Sequence, residues 1–223
     1  MKSRINSLLP FTHKSCFGPA QYKQLIIAFT GKSLNLPTES TMKENLKLIA
    51  IVPPEPVFSE IRKEQEYIAN TWGPQHALRT PPHLTIIPPL SLTSSEIGWL
   101  FGMGSAVAGT ISPFRVELKD FSSFKPRVIF INPIVPRELH ELYEIWYDAL
   151  MVKMPHVLDK YPDRPYHPHV TLAHKDVTHP QFDKIWNHYA GKRYRAYFQV
   201  DHFCILSYHE HGWEVERKYY FTD

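Results

Sequence analysis

Two short stretches of this chain, His83-Leu84-Thr85-Ile86 and His169-Val170-Thr171-Leu172, read as copies of one another, with their histidines 86 residues apart. On an extended backbone, residues two apart project from one face and the residue between them from the other. Each copy is therefore a strand with an imidazole and a hydroxyl on one side and an apolar side chain on the other. The composition predicts about 0.1 chance occurrences of His-apolar-Thr-apolar, so two by accident have odds on the order of one in a hundred. The rest of the chain reads as scaffolding for this pair.

Residues 46–223 alternate between strand and helix signals. Leu46–Val52 reads as a first strand, ended by Pro53, Pro54 and Pro56, and Val57–Trp72 as a helix that covers a sheet. Pro81-Pro82 and Pro88-Pro89 bracket the first motif and predict a strand of about five residues. Thr93-Ser94-Ser95-Glu96 opens a helix over Leu92–Thr110. Strands over Ile111–Phe121 and Arg127–Asn132 follow, with a turn at Ser122–Pro126. Glu138–Val152 is the clearest amphipathic helix, its stripe formed by Leu139, Leu142, Ile145, Trp146, Ala149 and Leu150. A Pro-rich loop, Tyr161–Pro168, delivers the second motif. A helix over Pro180–Tyr189 and strands over Arg195–Tyr208 and Trp213–Phe221 complete the chain, the last two joined as a hairpin at Glu210-His211-Gly212. Both halves run motif strand, helix, strand, strand, a divergent duplication.

Residues 1–45 are different in kind. They are rich in Ser, Thr, Pro and Lys, and residues 1–41 carry Lys2, Arg4, Lys14, Lys23 and Lys32 against Glu39, which exceeds the whole net charge of +3. The body is near neutral, so no broad nucleic-acid-coating surface is indicated for it. The segment reads as a disordered or non-essential extension upstream of Met42, a targeting segment, or a docked arm. With 43% apolar residues the body can bury a full core as one domain. The longest apolar run, Leu25–Phe29, is too short to cross a bilayer. Cys16 and Cys204 are the only cysteines, which argues against a disulfide framework and fits a reducing compartment. A cytoplasmic monomer without membrane association is expected.

Paired histidines suit chemistry at phosphate. Opening a strained phosphodiester ring needs one group to take a proton from water and another to give one to the leaving sugar oxygen, and imidazoles titrate in the right range for both. The neighbouring hydroxyls can hold the non-bridging oxygens. Such chemistry needs no metal and no cofactor. His209-Glu210-His211 lacks a complete ligand set and reads as turn residues. His167 shares a face with His169 as a cleft-wall or solvent-facing group.

The segments Pro82-His83-Leu84-Thr85-Ile86 and Pro168-His169-Val170-Thr171-Leu172-Ala173 resemble the two motifs of the two-histidine (2H) phosphoesterase superfamily, the group of RNA 2′,3′-cyclic phosphodiesterases and 2′-5′ RNA ligases. Phe124-Lys125-Pro126-Arg127-Val128 resembles the hairpin between them. The resemblance covers about residues 46–223. It implies an α+β, LigT-like fold: two pseudo-symmetric lobes of antiparallel sheet with outer helices around a central cleft. It implies His83 and His169 as the acid–base pair, Thr85 and Thr171 as phosphate ligands, and an RNA end or nucleotide as substrate. Where many members have an arginine after the second motif, this chain has His174-Lys175. Phe124 and Tyr166 are candidates to stack on a base, and Lys125, Arg127 and Lys175, with Arg164, are candidate cations for the substrate. The readings in play are ring-opening hydrolysis with its reverse ligation, RNA 3′-end exonuclease or cyclase activity, and a nucleotide- or RNA-binding module with little turnover.

Overall fold

A computed structural model of the 223-residue chain describes residues 45–158 and 165–222. The basic segment 1–44 and Arg164 lie outside the described residues. Eight strands form one antiparallel sheet: β1 (Leu46–Ile51), β2 (Leu84–Ser91), β3 (Phe114–Phe124), β4 (Val128–Ile134), β5 (Val170–Ala173), β6 (Arg195–Val200), β7 (His202–His209) and β8 (Gly212–Tyr220). Their spatial order is β6-β3-β4-β5-β2-β1-β7-β8. Four helices, α1 (Val57–Trp72), α2 (Ser94–Ala108), α3 (Arg137–Lys153) and α4 (His179–Tyr189), accompany the sheet, with short 3-10 turns at His76–Arg79 and Pro155–Val157.

The order divides at the β5–β2 seam into two lobes of four strands, β5-β4-β3-β6 and β2-β1-β7-β8. Position in the sheet relates β1 to β4 and β2 to β5. The duplicated unit is therefore strand, helix, motif strand, helix: β1-α1-β2-α2 and β4-α3-β5-α4. The expected run of motif strand, helix, strand, strand exists along the chain but straddles the lobes, because β3 and β4 join the lobe opposite β2. The expected single strand over Arg195–Tyr208 is likewise two, broken at Asp201, where the chain passes from one edge lobe to the other. The helix before each motif covers the other motif strand, α1 on β5 and α3 on β2.

The main core lies on the helix side of the sheet and includes Ile49, Ile51, Leu84, Ile86, Ile131, Val170, Leu172, Leu142 and Trp146. A separate small cluster of Leu48, Ala50, Cys204 and Leu206 lies on the other face. This second face carries the motifs, since Ala50 is the registered partner of Thr85 and Phe130 that of Thr171.

The first motif strand is longer than its prolines predict: β2 runs eight residues, through Pro88 and Pro89. Neither needs an N–H there. Pro88 and Pro89 fall between the Ile87 and Leu90 partners, where the β1 register shifts, and the β5 side of β2 is registered only at Leu84. Strand β3 also extends further than expected, so Phe124 closes a strand and the turn is confined to Lys125–Arg127. The Thr93 capping box opens α2 as its sequence predicts.

Candidate functional site

Leu84 and Val170 are registered partners across the antiparallel β2–β5 seam. That pairing sets His83 across from Thr171 and Thr85 across from His169, all four on the face away from the helices. The two histidines are then diagonal neighbours, about 7–8 Å apart by the usual sheet spacing, with their Cβ atoms somewhat closer. All four side chains are half-buried. Each histidine sits one residue before its strand begins.

The same local device holds both rings. His83 Nδ1 lies 2.8 Å from the carbonyl oxygen of Pro81, and His169 Nδ1 lies 2.8 Å from that of His167. A carbonyl only accepts, so Nδ1 carries the proton in each and Nε2 is left free. Burial pushes His83 down to about 4, helped by the nearby His169 and Arg62 and opposed by the Pro81 bond. Burial lowers His169 as well, against the His167 bond. Both rings are neutral near neutrality, each with a free acceptor nitrogen.

A β-bulge follows each motif threonine. The β1–β2 register skips Ile86, between Ala50↔Thr85 and Ile49↔Ile87, and the β4–β5 register skips Leu172, between Phe130↔Thr171 and Ile129↔Ala173. Two consecutive residues, Ile86-Ile87 and Leu172-Ala173, consequently face the core together. The threonine carbonyls beside the bulges find side-chain donors: Gln65 Nε2 of α1 donates to Thr171 O at 2.8 Å, and the Tyr166 hydroxyl donates to Thr85 O at 3.3 Å.

The surroundings of the two histidines differ. At the His169 end, Phe124 packs within 4.5 Å of Phe130, 5.0 Å of His167 and 5.2 Å of His169, ring centre to ring centre. The register sets Asn132 beside His169, and Asn132 lines a cavity with His167 and Pro168. At the His83 end the register sets Val52 beside the ring. His174 packs edge-on against His76 at 4.8 Å and is pushed down to about 4 by burial, with His76, Lys175 and His83 as neighbouring charges. Asp176 Oδ2 accepts from the backbone N–H groups of Gln75 and His76, tying this loop to the segment before the first motif. The cleft is thus aromatic at one end and rich in imidazole and cationic groups at the other.

Of the residues singled out in the sequence, the structure brings His83, Thr85, His169, Thr171 and Phe124 together. Lys125 and Arg127 lie exposed at the tip of the β3–β4 turn, and Lys175 is exposed beside His174 with φ of 60°. Tyr166 lines the same cavity as Asn132, His167 and Pro168; it stacks on Tyr143 of α3 at 4.0 Å with the rings 5° from parallel, and its hydroxyl donates to Thr85 O. That stacking takes up one face of the ring that was expected to stack on a base. Gln65 and Asn132 were not singled out. Gln65 interrupts the buried stripe Ile61, Gln65, Ile68 of α1, a pattern legible in the sequence as a buried polar group in need of a partner. Among the described residues, no group of three or more His, Cys, Asp and Glu side chains converges as a metal site, and no helix is long and apolar enough to cross a membrane.

Comparison with known proteins agrees with this picture. The family model described as the 2′-5′ RNA ligase superfamily matches residues 53–212. A protein of Bacillus licheniformis named as a candidate phosphoesterase is 31% identical over 119 residues, covering 51% of this chain and 66% of that protein. A similarly named protein of Bacillus pumilus is 33% identical over 119 residues, covering 51% of this chain and 65% of that one. The match spans slightly less than two thirds of each relative. Among solved structures, TT0787 of Thermus thermophilus superposes with a TM-score of 0.59 at 20% identity, over 79% of this chain and 97% of that one. Escherichia coli LigT in its apo form superposes with a TM-score of 0.51 at 20% identity, over 80% and 98%. The fold is therefore LigT-like.

Proposed function

Since the chain belongs to the 2′-5′ RNA ligase superfamily, we propose that it is a phosphoesterase that opens a ribose 2′,3′-cyclic phosphate, or cleaves a 2′-5′ phosphodiester, at an RNA end or on a nucleotide. The observation that carries this reading is the register Leu84↔Val170, which faces two Nδ1-protonated histidines and two threonines onto one cleft.

A phosphate lying between the diagonal histidines is within reach of both free Nε2 atoms. One Nε2 removes a proton from water as the water oxygen attacks phosphorus. The bond from phosphorus to one ribose oxygen breaks, and the other imidazole, entering as imidazolium, gives its proton to that oxygen. Water is consumed, a phosphomonoester and a free hydroxyl are formed, and the two rings exchange protonation states. The Pro81 and His167 carbonyls keep the tautomers fixed and stabilise the imidazolium form of whichever ring is charged. The Thr85 and Thr171 hydroxyls donate to the non-bridging oxygens.

Phe124, 40% exposed beside His169, offers its face to a base. Lys125 and Arg127, on the turn that follows Phe124, and Lys175, beside His174, are exposed cations available to the substrate. The side chains of the cleft account for proton transfer without a cofactor or a metal. Ligation of a 2′-5′ linkage is the same displacement in reverse and is outcompeted in bulk water.

The test is incubation of the full chain with adenosine 2′,3′-cyclic phosphate, an RNA ending in a cyclic phosphate, and a 2′-5′ dinucleotide. Conversion of at least one to a phosphomonoester, abolished by His83→Ala and by His169→Ala, is the expected result. Nucleotide binding without turnover of any of them would make the chain a binding module, and shortening of an RNA 3′ end would make it an exonuclease.

A further inference from the structure

A second cavity, of about 180 Å³, lies against the His83 end of the cleft and takes no part in the proton transfers. Arg62, Arg79, Pro81 and Trp213 are part of its wall. Pro81 is the residue whose carbonyl holds His83 Nδ1, so the cavity adjoins the site at that residue. Trp213 packs on the cluster of Leu48, Ala50, Cys204 and Leu206, the face that Ala50 shares with Thr85. One wall of the cavity therefore belongs to the reacting side of the sheet.

Its charge is unusual. The half-buried Arg62 guanidinium donates to two neutral acceptors, the carbonyls of Leu78 at 3.2 Å and Thr80 at 2.9 Å. Desolvation lowers its pKa, and Glu66 acts on it only as a more distant charge. Among the described residues no carboxylate pairs with it, and a partly desolvated cation so placed favours an anion beside it. Arg79 is exposed and is steadied by donating through Nη2 to the Tyr208 hydroxyl at 3.1 Å and the Glu210 carbonyl at 3.3 Å, which leaves its other nitrogens free. The lone carboxylate among the lining residues, Glu214, is exposed. The walls are locked together. At Gly212, with φ of +144°, any Cβ would overlap the Arg79 carbonyl oxygen, so the β7–β8 turn sits directly on the 3-10 turn.

Resting on the phosphoesterase reading, we propose that this cavity is a second phosphate subsite, in which Arg62 and Arg79 bind the phosphate on the 5′ side of the nucleoside whose cyclic phosphate lies between His83 and His169. The polarity of the cleft fits this substrate. The base goes to the aromatic end at Phe124 and Phe130, the reacting phosphate lies over the seam, and the next phosphate goes to the arginine end. The substrate class is then a nucleotide carrying a second phosphate, either an internucleotide diester in an RNA end or a terminal 5′-monophosphate.

Binding separates this proposal from the reaction itself. On the full-length His169→Ala chain, calorimetry compares adenosine 3′-phosphate, adenosine 3′,5′-bisphosphate, and the dinucleotide ApA bearing a 3′-phosphate. The bisphosphate is expected to bind about tenfold or more tighter than the monophosphate, the scale of one charge-assisted contact. A matching gain for the dinucleotide assigns the subsite to an RNA chain, and a gain for the bisphosphate alone assigns it to free nucleotides. Adding Arg79→Gln, which keeps donors for Tyr208 and Glu210, should bring the ratio close to one, while Arg79→Lys should restore part of it. Equal binding of all three ligands, or a ratio that survives Arg79→Gln in a folded chain, overturns the proposal. If no cyclic phosphate is hydrolysed by the parent chain, the phosphoesterase reading fails, and the binding ratio still decides the subsite.

Discussion

The side-chain amide of Gln65 donates a 2.8 Å hydrogen bond to the backbone carbonyl of Thr171, joining helix α1 to the motif strand of the opposite repeat. Strand β5 has four residues and is registered to β2 at one pair, so a bond from outside the sheet matters to its position. Gln65 is 3% exposed, so no solvent can replace it. Gln65→Leu is expected to cost about 1–3 kcal/mol in urea unfolding, the penalty of a buried carbonyl left without a donor. Activity should fall through kcat more than through KM. An unchanged urea midpoint would show that the bond contributes nothing net.

His83→Ala and His169→Ala should each lower turnover of a cyclic phosphate by about a hundredfold or more, the usual contribution of a placed proton-transfer group. The double variant should be little worse than the worse single variant, because the two rings act as one unit. Thr85→Val and Thr171→Val should slow turnover less. The pH dependence of kcat/KM should be bell-shaped, with limbs that belong to the coupled pair. Because both free-enzyme histidines are held below the ordinary imidazole value of 6.5, the optimum should lie on the acid side of that value. Near-parental rates in folded single variants would reject the mechanism.

Stability should depend on the same groups. His83 and His174 are pushed down to about 4 in the folded chain from an ordinary 6.5. Below pH 6.5 the unfolded chain takes up protons that the folded chain refuses, so stability is full above 6.5 and declines as pH falls towards 4. Thermal melts from about pH 7 to pH 4 should record a falling Tm, and His174→Gln should flatten part of that slope. A Tm independent of pH across this window would mean that neither imidazole is held neutral.

The proposed chemistry uses only side chains, so activity should survive dialysis against a chelator. Loss of activity with recovery on adding zinc or manganese would replace the two-histidine reaction with a metal-assisted one.

A chain beginning at Met42 should melt cooperatively and keep its activity, since the sheet begins at Leu46. Aggregation or inactivity of the shortened chain would make the basic N-terminal segment a docked element.

The convergence of the four motif side chains was largely legible because its information is local. A His-x-Thr-x run specifies its own facing, and its repetition specifies a partner. The preceding Pro81 and His167 carbonyls complete each motif within two residues. What escaped the sequence is non-local. No periodicity announces that Ile86 and Leu172 are bulged, because the bulge depends on the register of a neighbouring strand. Pro88 and Pro89 read as strand breakers because their tolerance depends on partners they do not need. Tyr166 reads as a cleft residue from its place in the loop before His169, whereas Tyr143, 23 residues earlier, supplies the surface that claims its ring. Asn132 comes beside His169 only through the β4–β5 register, and Arg62 comes beside Pro81 only because the turn after α1 folds back on that helix.

The interleaving of the two lobes also governs how the protein can be made. Strand β1 is made before every other described element, yet one of its two neighbours, β7, begins at His202. Until residue 202 and those after it are made, the first motif strand belongs to a half-built sheet with an open edge, while the second lobe, spanning β3 to β6, is contiguous in sequence and can close first. Lobe closure of the first repeat must await the last two strands, so contacts of high sequence separation set the pace of folding. A ribosome-stalled chain ending before β7 would carry one finished lobe and one exposed edge, and that edge is where a nascent-chain chaperone would be needed.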